Sequence, residues 1–253
     1  MEVHHHPHAP SHLKHWKEYL LEFFMIFLAV TMGFFAESYR ERGSEKGKEM
    51  KYMESMVADL QKDTLSMNQA IQENLRQFRG MDSLAQQLHL NPSTDVELRR
   101  LYRLNDEYAL SLATQPVNDM TMRQLLSSGN LRLISDQKVA DRIMEYYGSE
   151  KEVYDQDMSM YLQNIQKVFF ASVDLFDFRY PPIQIHKDTT FSSDYQHGDF
   201  KLLNHDPAAL DKYANQVMAA RALNIVYINV LHEMEKQALE LMMFLKKEYH
   251  LSG

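Results

Sequence analysis

Histidine side chains are concentrated near the start of the chain, in the sequence HHHPHAPSHLKH. Neutral imidazoles are good ligands for Zn²⁺ and Ni²⁺, so such a run could hold a metal ion. The weak candidates are His4, His5, His6 and His8. No scaffold is predicted around them, and a His-rich polar tail over residues 1–17 is the favoured interpretation. We therefore expect no resident metal and no cofactor.

The remaining sequence offers little catalytic chemistry. His186, His197 and His205 stand among aspartates, but their spacing matches no metal or catalytic pattern, and a solvated loop is favoured. A phosphate-binding glycine loop, a nucleophile elbow and an HExxH motif are all missing from the sequence. The chain has no cysteine, which excludes thiol catalysis and disulfides. We therefore expect no catalytic residues and a protein that is not an enzyme.

The charge and composition restrict the partners and the fold class. A formal net charge of -8 argues against nucleic acid, because binding there depends on clustered Lys and Arg that neutralise phosphates. The mean hydropathy of -0.46 limits any membrane segment to a small part of the chain. With 8 Gly and 7 Pro in 253 residues, turns are few and long helices are favoured.

One apolar stretch could cross a membrane. The uncharged run from Phe23 to Ala36 is shorter than the roughly 20 apolar residues that a bilayer span needs, but residues 19–21 extend it beyond Glu22. Trp16 and Tyr19 lie where an interfacial aromatic belt is expected. The run is apolar on all sides, unlike a surface helix with one apolar stripe. We predict a transmembrane helix over 18–38; the alternatives are a buried core helix and a signal peptide.

Three residues of this stretch are candidates for contacts with membrane partners. Ala29 and Gly33 lie four residues apart on one face, a spacing of small residues that permits close approach of another helix. Glu22 is either an interfacial carboxylate or an acid that faces a partner, because ionisable groups in membranes usually pair or line a path.

The orientation of the segment depends on conflicting signals. Lys14 and Lys17 precede it, whereas more positive charges follow it, including Arg40 and Arg42. Counted plainly, the positive-inside rule would place the C-terminal part in the cytoplasm. A short cytoplasmic tail, one anchor and an exported domain form a common bacterial plan. We expect a single-pass protein of the bacterial inner membrane, with its C-terminal domain in the periplasm.

Two long stretches of the remaining chain have the apolar periodicity of packed helices, here called seams. Apolar residues step by four and three from Met53 to Leu88, and again from Leu210 to Leu245. The first seam could pack within the chain or against another copy. We predict an all-α fold in which residues 39–253 form an antiparallel bundle of long helices, with a long loop at about 179–206.

The most distinctive local motif is LLSSGNLRLISD, from Leu125 to Asp136. It predicts a structural corner formed by Ser128, Gly129, Asn130 and Leu131, with the glycine in the left-handed conformation that often ends a helix. This motif, the anchor and the stretch YMESMVADLQKD resemble uncharacterised bacterial single-span membrane proteins that have a helical domain of unknown function. The resemblance implies this topology and transfers no activity.

These features favour a function in assembly. Thr64 and Asn74 interrupt the first seam, and one polar residue at such a position can select register and partner. We expect a non-enzymatic protein that binds membrane lipid and associates with itself or with subunits of a larger membrane complex. The alternatives are an extracytoplasmic ligand-sensing module and an ion-coupled, stator-like subunit that uses Glu22.

Overall fold

Helices contain most of the residues that the structure describes. The computed structural model describes residues 16–186, 188 and 190–251. The weak candidates for metal ligands, His4, His5, His6 and His8, lie outside this part of the chain. The elements in chain order are α1 (Trp16–His89), α2 (Asp95–Leu104), a first π-turn (Asn105–Ala109), α3 (Met120–Ser127), a 3₁₀ turn (Asn130–Leu133), α4 (Gln137–Glu145), a second π-turn (Tyr146–Glu150), α5 (Lys151–Ser172), β1 (Ile183–Ile185), β2 (Phe191–Ser193) and α6 (Pro207–Glu248).

Contacts between residues divide the chain into two units, Met1–Lys51 and Tyr52–Gly253. The first unit contains the apolar segment of α1, and its 18-residue window of mean hydropathy 2.0 has none of its residues buried inside the chain. By length and composition, α1 is the one helix of the described residues that could cross a membrane. The lack of buried residues in this segment argues against the alternative of a buried core helix.

In the second unit, the first seam is covered by other parts of the same chain. Nearly all of its positions between Met53 and Leu88 are buried, and Phe78 is half-buried under the guanidinium of Arg221, 3.8 Å from the ring centroid. The buried face is wider than a heptad seam and also includes Met56, Asp63, Ala70, Gln77 and Leu84. Of the two alternatives for this seam, the structure therefore favours packing within the chain.

Helix α6 lies along α1 in the opposite direction. His89 of α1 pairs with Asp211 at 2.6 Å, and Arg221 pairs with Asp82 at 2.9 Å. Later residues of α6 thus contact earlier residues of α1. All the predicted inward positions of α6, from Leu210 to Leu245, are buried. Asp206 caps the helix through Ala208 N, and Pro207 occupies its first turn, where a missing N–H has no consequence.

The middle of the chain is more broken than the sequence predicts. The sequence predicts a helix from about Thr94 to Ala113 with Val96 facing inward, but α2 ends in the first π-turn and Val96 is 76% exposed. The sequence also predicts Ser93 or Thr94 as the cap of this helix, and Thr94 forms a reciprocal capping box with Glu97. The sequence predicts one long element from about Asp136 to Phe178, whereas the structure has two helices, α4 and α5, joined by the second π-turn.

The segment predicted as a long loop contains a small hairpin. Strands β1 and β2 pair antiparallel, with Ile185 opposite Phe191. Arg99 donates hydrogen bonds to the carbonyl oxygens of Gln196 and Gly198, at 2.6 and 2.9 Å, which ties the following turn to α2. Phe200 is buried, so this segment adds to the core as well as to the surface.

Candidate functional site

An irregular segment between the first π-turn and α3 lies inside the second unit. Residues 110–119, here called the strap, form neither helix nor strand, yet Ala113 and Val117 are buried. Where such a segment is buried without regular structure, its backbone N–H and C=O groups need side-chain partners. Polar side chains from three helices supply them.

Asn74 holds the strap from α1. Its side-chain amide donates to the carbonyl oxygens of Ala113, at 2.7 Å, and Ala70, at 2.8 Å. Asn224 of α6 donates to Asn74 Oδ1 at 2.7 Å. Sequence reasoning assigned the polar interruption at Asn74 to register and partner selection between copies. The structure uses it within one chain, because the Ala113 carbonyl would otherwise be buried without a donor.

Two tyrosines hold the next part of the strap. Gln115 N donates to Tyr227 Oη of α6 at 3.3 Å, and Tyr154 Oη of α5 donates to the carbonyl oxygen of Gln115. The two hydroxyls lie 3.2 Å apart, and the ring of Tyr161 stacks on that of Tyr227 with a centroid distance of 4.6 Å. Burial raises the pKa of Tyr154 and Tyr227, so both phenols stay neutral at ordinary pH.

Asp59 of α1 caps the helix that follows the strap. The residue at the N-terminus of α3, Asp119, makes no capping hydrogen bond with its own side chain. Instead, Asp59 accepts from Thr121 Oγ1 at 2.5 Å, from Thr121 N at 3.3 Å and from Asn118 Nδ2 at 3.0 Å. A carboxylate at this position satisfies unpaired amides and complements the positive end of the helix.

Asp63 lies one turn further along α1 and is 2% exposed. Its two carboxylate oxygens accept from Asn118 N at 3.1 and 3.0 Å. Burial raises the pKa of Asp63 to about 7, and the charges of Asp59 and Asp119 act in the same direction. The Asn118 hydrogen bond acts against them. Asp63 therefore changes its protonation state in the neutral range.

The second π-turn carries two buried phenols that interact electrostatically with this carboxylate. Tyr146 is 3% exposed and Tyr147 is 9% exposed, and neither hydroxyl has a hydrogen-bond partner among the described residues. Burial first, and then the charge of Asp63, raises the pKa of both phenols. π-Helical turns are rare and often occur at functional sites. Such unpaired buried hydroxyls are costly and need an explanation.

The local cations bind the third carboxylate. Asp119 accepts from Arg123 at 2.7 Å and lies 3.8 Å from the ammonium of Lys151, which also pairs with Asp155 at 2.5 Å. In the described part of the chain, no ion pair is formed by Asp59 or Asp63. The carboxylate cluster (Asp59, Asp63 and Asp119) is thus only partly neutralised.

Two surface depressions flank the second π-turn. One, of about 580 Å³, has Tyr147, Gly148 and Lys151 in its lining. The other, of about 190 Å³, has Tyr146 and Glu150 in its lining. Consecutive tyrosines thus contribute to different depressions. This arrangement can bind and release protons; no nucleophile–base pair accompanies it among the residues described above.

The predicted corner lies nearby. Gly129 follows α3 with φ 66° and ψ 17°, the left-handed conformation that the motif predicts. Ser128 Oγ donates to the carbonyl oxygen of Gln124 at 2.6 Å, and Asn130 Nδ2 donates to Tyr52 Oη of α1 at 2.8 Å. Leu131 is half-buried, whereas the two following apolar positions of the motif, Leu133 and Ile134, are buried. The corner is structural and fixes the end of α3.

The residues predicted to contact membrane partners lie in the first unit, in a different part of the sequence from the carboxylate cluster. Glu22 and Ala29 are exposed on α1, and a Cβ added to Gly33 would meet no atom within 4 Å. The face that carries Ala29 and Gly33 is therefore accessible to another helix.

Sequence reasoning missed Asp59 and Asp63. A heptad template places them beside the seam, and their burial depends on the strap, which is far away in the sequence. The signal that could have found them is the pair of acids one turn apart, next to Leu60 and Thr64 on a helix with a wide inward face.

In the described residues, no group of three or more His, Asp or Glu lies close enough together to hold a metal ion.

Comparisons with known proteins found no relative of this chain. No family model, no curated protein and no solved structure matches the chain. The resemblance to uncharacterised bacterial single-span proteins stays a prediction.

Proposed function

We propose that the protein is a membrane-anchored helical bundle with a non-enzymatic role in assembly, as a homo-oligomer or as an accessory subunit of a larger membrane complex. The observation that carries the proposal is that no residue in the apolar window of α1 is buried inside the chain. Side chains such as Phe23, Phe27 and Phe34 are 60%, 53% and 72% exposed. A soluble protein rarely exposes a continuous apolar surface of this kind, and lipid is the partner that suits a helix apolar on all sides.

The proposed location is the bacterial inner membrane, with the second unit in the periplasm. Support comes from the cysteine content of zero, which suits an oxidising compartment. The positive charges that follow the apolar segment favour the opposite orientation. A C-terminal fusion decides between them: exported-phosphatase activity is expected, and cytoplasmic fluorescence would reverse the orientation.

The assembly contact is proposed on the face of Ala29 and Gly33, with Glu22 near one end. The seam between Met53 and Leu88 is covered within the chain and leaves no heptad surface for a second copy. In lipid, helices associate through close backbone approach at small residues, and the space beside Gly33 permits it.

The experiment compares two bulky substitutions in native membranes. Gly33→Leu is expected to abolish cross-linked species, because the added side chain holds a partner helix away. Thr31→Leu, roughly on the opposite side of the helix, is the matched control and should cross-link as the natural sequence does. Mass measurement in mild detergent gives the stoichiometry. A strictly monomeric natural protein without a co-purifying partner would contradict the assembly function.

A ligand-sensing module is the second candidate, and the depressions of about 580 and 190 Å³ beside the second π-turn favour it. Under this alternative a small molecule would bind at one of them and alter the packing of α4 and α5. A stator-like role for Glu22 remains the third alternative. Replacement of Glu22 by Gln should then abolish an ion-dependent function while cross-linking continues.

A further inference from the structure

Asp63 occupies an unusual position among the acids of the second unit. Asp63 is 2% exposed, and its hydrogen bonds come from one backbone amide. Two buried phenols with unpaired hydroxyls have a pKa that is raised by burial and by the charge of Asp63. A buried carboxylate without a cation is unstable unless several donors surround it, and the chain has placed two unused donors at Tyr146 and Tyr147.

The groups that face Asp63 come from three elements. Asp59 is its neighbour on α1, Asn118 and Asp119 come from the end of the strap, and the two phenols come from the second π-turn. The cations of this region, Arg123 and Lys151, pair with Asp119. The surroundings of Asp63 are therefore negative or neutral, which disfavours a second buried charge.

We propose that Asp63 is a proton-binding site whose occupancy controls how the strap and the second π-turn are held against α1. Protonation forms one Oδ–H bond with a proton taken from bulk water and removes one negative charge. In the ionised state the carboxylate draws the hydroxyls of Tyr146 and Tyr147 towards it as donors and strengthens the Asn118 hydrogen bond. In the protonated state these attractions weaken, and the strap and the turn are released from Asp63. This inference goes beyond the assembly function and stands independently of it.

The raised pKa of Asp63, about 7, supports this inference because it places the change in the neutral range. The folded protein then holds the proton more tightly than the unfolded chain, in which an Asp has a pKa of about 3.9. The contribution of Asp63 to stability is consequently largest below about pH 4, decreases as the pH rises, and levels off above about pH 7.

The test uses full-length protein in mild detergent and compares it with Asp63→Asn, which stays neutral at every pH. The melting temperature of the variant, relative to the natural protein, should rise between about pH 5 and about pH 8. Glu54→Gln, an exposed acid on the same helix, is the matched control and should show a constant difference. A constant difference for Asp63→Asn as well would overturn the proposal.

A second measurement separates the proton switch from a merely buried acid. Hydrogen–deuterium exchange, corrected for intrinsic rates, should show pH-dependent protection at residues 110–121 and 146–150 that is lost in Asp63→Asn. The double variant Tyr146→Phe with Tyr147→Phe removes the donors for the ionised state, so the transition should move to higher pH. This variant also serves if Asp63→Asn does not fold. An unmoved transition, or protection independent of pH, would overturn the proposal.

Discussion

Two segments of α1 have different surroundings although they belong to one continuous helix. Between Phe23 and Ala36 the large apolar side chains are all exposed, whereas between Met53 and Leu88 nearly every predicted inward side chain is buried. The first segment is apolar on all sides and the second on one broad face. The difference teaches that the distribution of apolar residues around a helix, more than their number, indicates whether its partner is the same chain or something outside it.

The largest expected effect is the loss of membrane association when charges are placed in the first segment. Phe27→Asp with Leu28→Asp places two charges at the centre of the proposed span, at a cost of about 2.5–3.5 kcal/mol each. The protein should then be released from membranes by carbonate extraction, while the natural protein stays in the membrane fraction. Leu65→Asp, at an exposed apolar position of the second unit, is the control and should leave extraction unchanged. Release of the natural protein by carbonate would contradict the proposal that this segment anchors the protein in a membrane.

The next effect distinguishes two glycines of α1. A Cβ on Gly80 would lie 2.0 Å from Cγ of Tyr108, so Gly80→Ala must displace this ring and is expected to cost about 1–3 kcal/mol or more. Gly47→Ala in the first unit meets no atom within 4 Å and should gain up to about 1 kcal/mol from helix propensity. Chemical denaturation measures both. Equal effects would contradict the close contact at Gly80.

The smallest effect concerns the corner at Gly129, where the neighbouring Asn130 donates a hydrogen bond to Tyr52 Oη of α1. Gly129→Val forces a branched side chain into the left-handed conformation and should lower the free energy of unfolding by roughly 1–2 kcal/mol. Gly148→Ala, where a Cβ also has open space but φ is not positive, is the matched control and should have a smaller effect. A thermal melt of Gly129→Val that matches the natural protein would argue against the strained conformation.

The sequence predicted those features that depend on neighbouring residues. The periodic apolar positions of α6 from Leu210 to Leu245 are buried as expected, and the left-handed Gly129 and the cap at Thr94 follow from local chemistry. The π-turns and the hairpin were not predicted. Their residues carry no short-range signal that separates a π-turn from a continuing helix, and β1 and β2 are each only three residues long.

Sequence reasoning did not predict the candidate site. Asp63 and Asn118 are 55 residues apart, and Asn74 and Asn224 are 150 residues apart. Neither pairing can be identified from the periodicity of a single helix. A buried Asp in a helix sequence looks the same as an exposed one until the strap is placed over it.

The sequence by itself determined that this chain is mostly helical, which faces of its long helices are apolar, and where one segment is apolar on every side. These properties follow from the 3.6-residue period and from local caps, which act over a few residues. Only the tertiary structure decided that the first seam closes within the chain, that Asn74 serves the Ala113 carbonyl, and that Asp63 is buried against the backbone amide of Asn118. Each of these depends on burial by distant residues, because the need to satisfy a buried polar group arises only when water has been excluded.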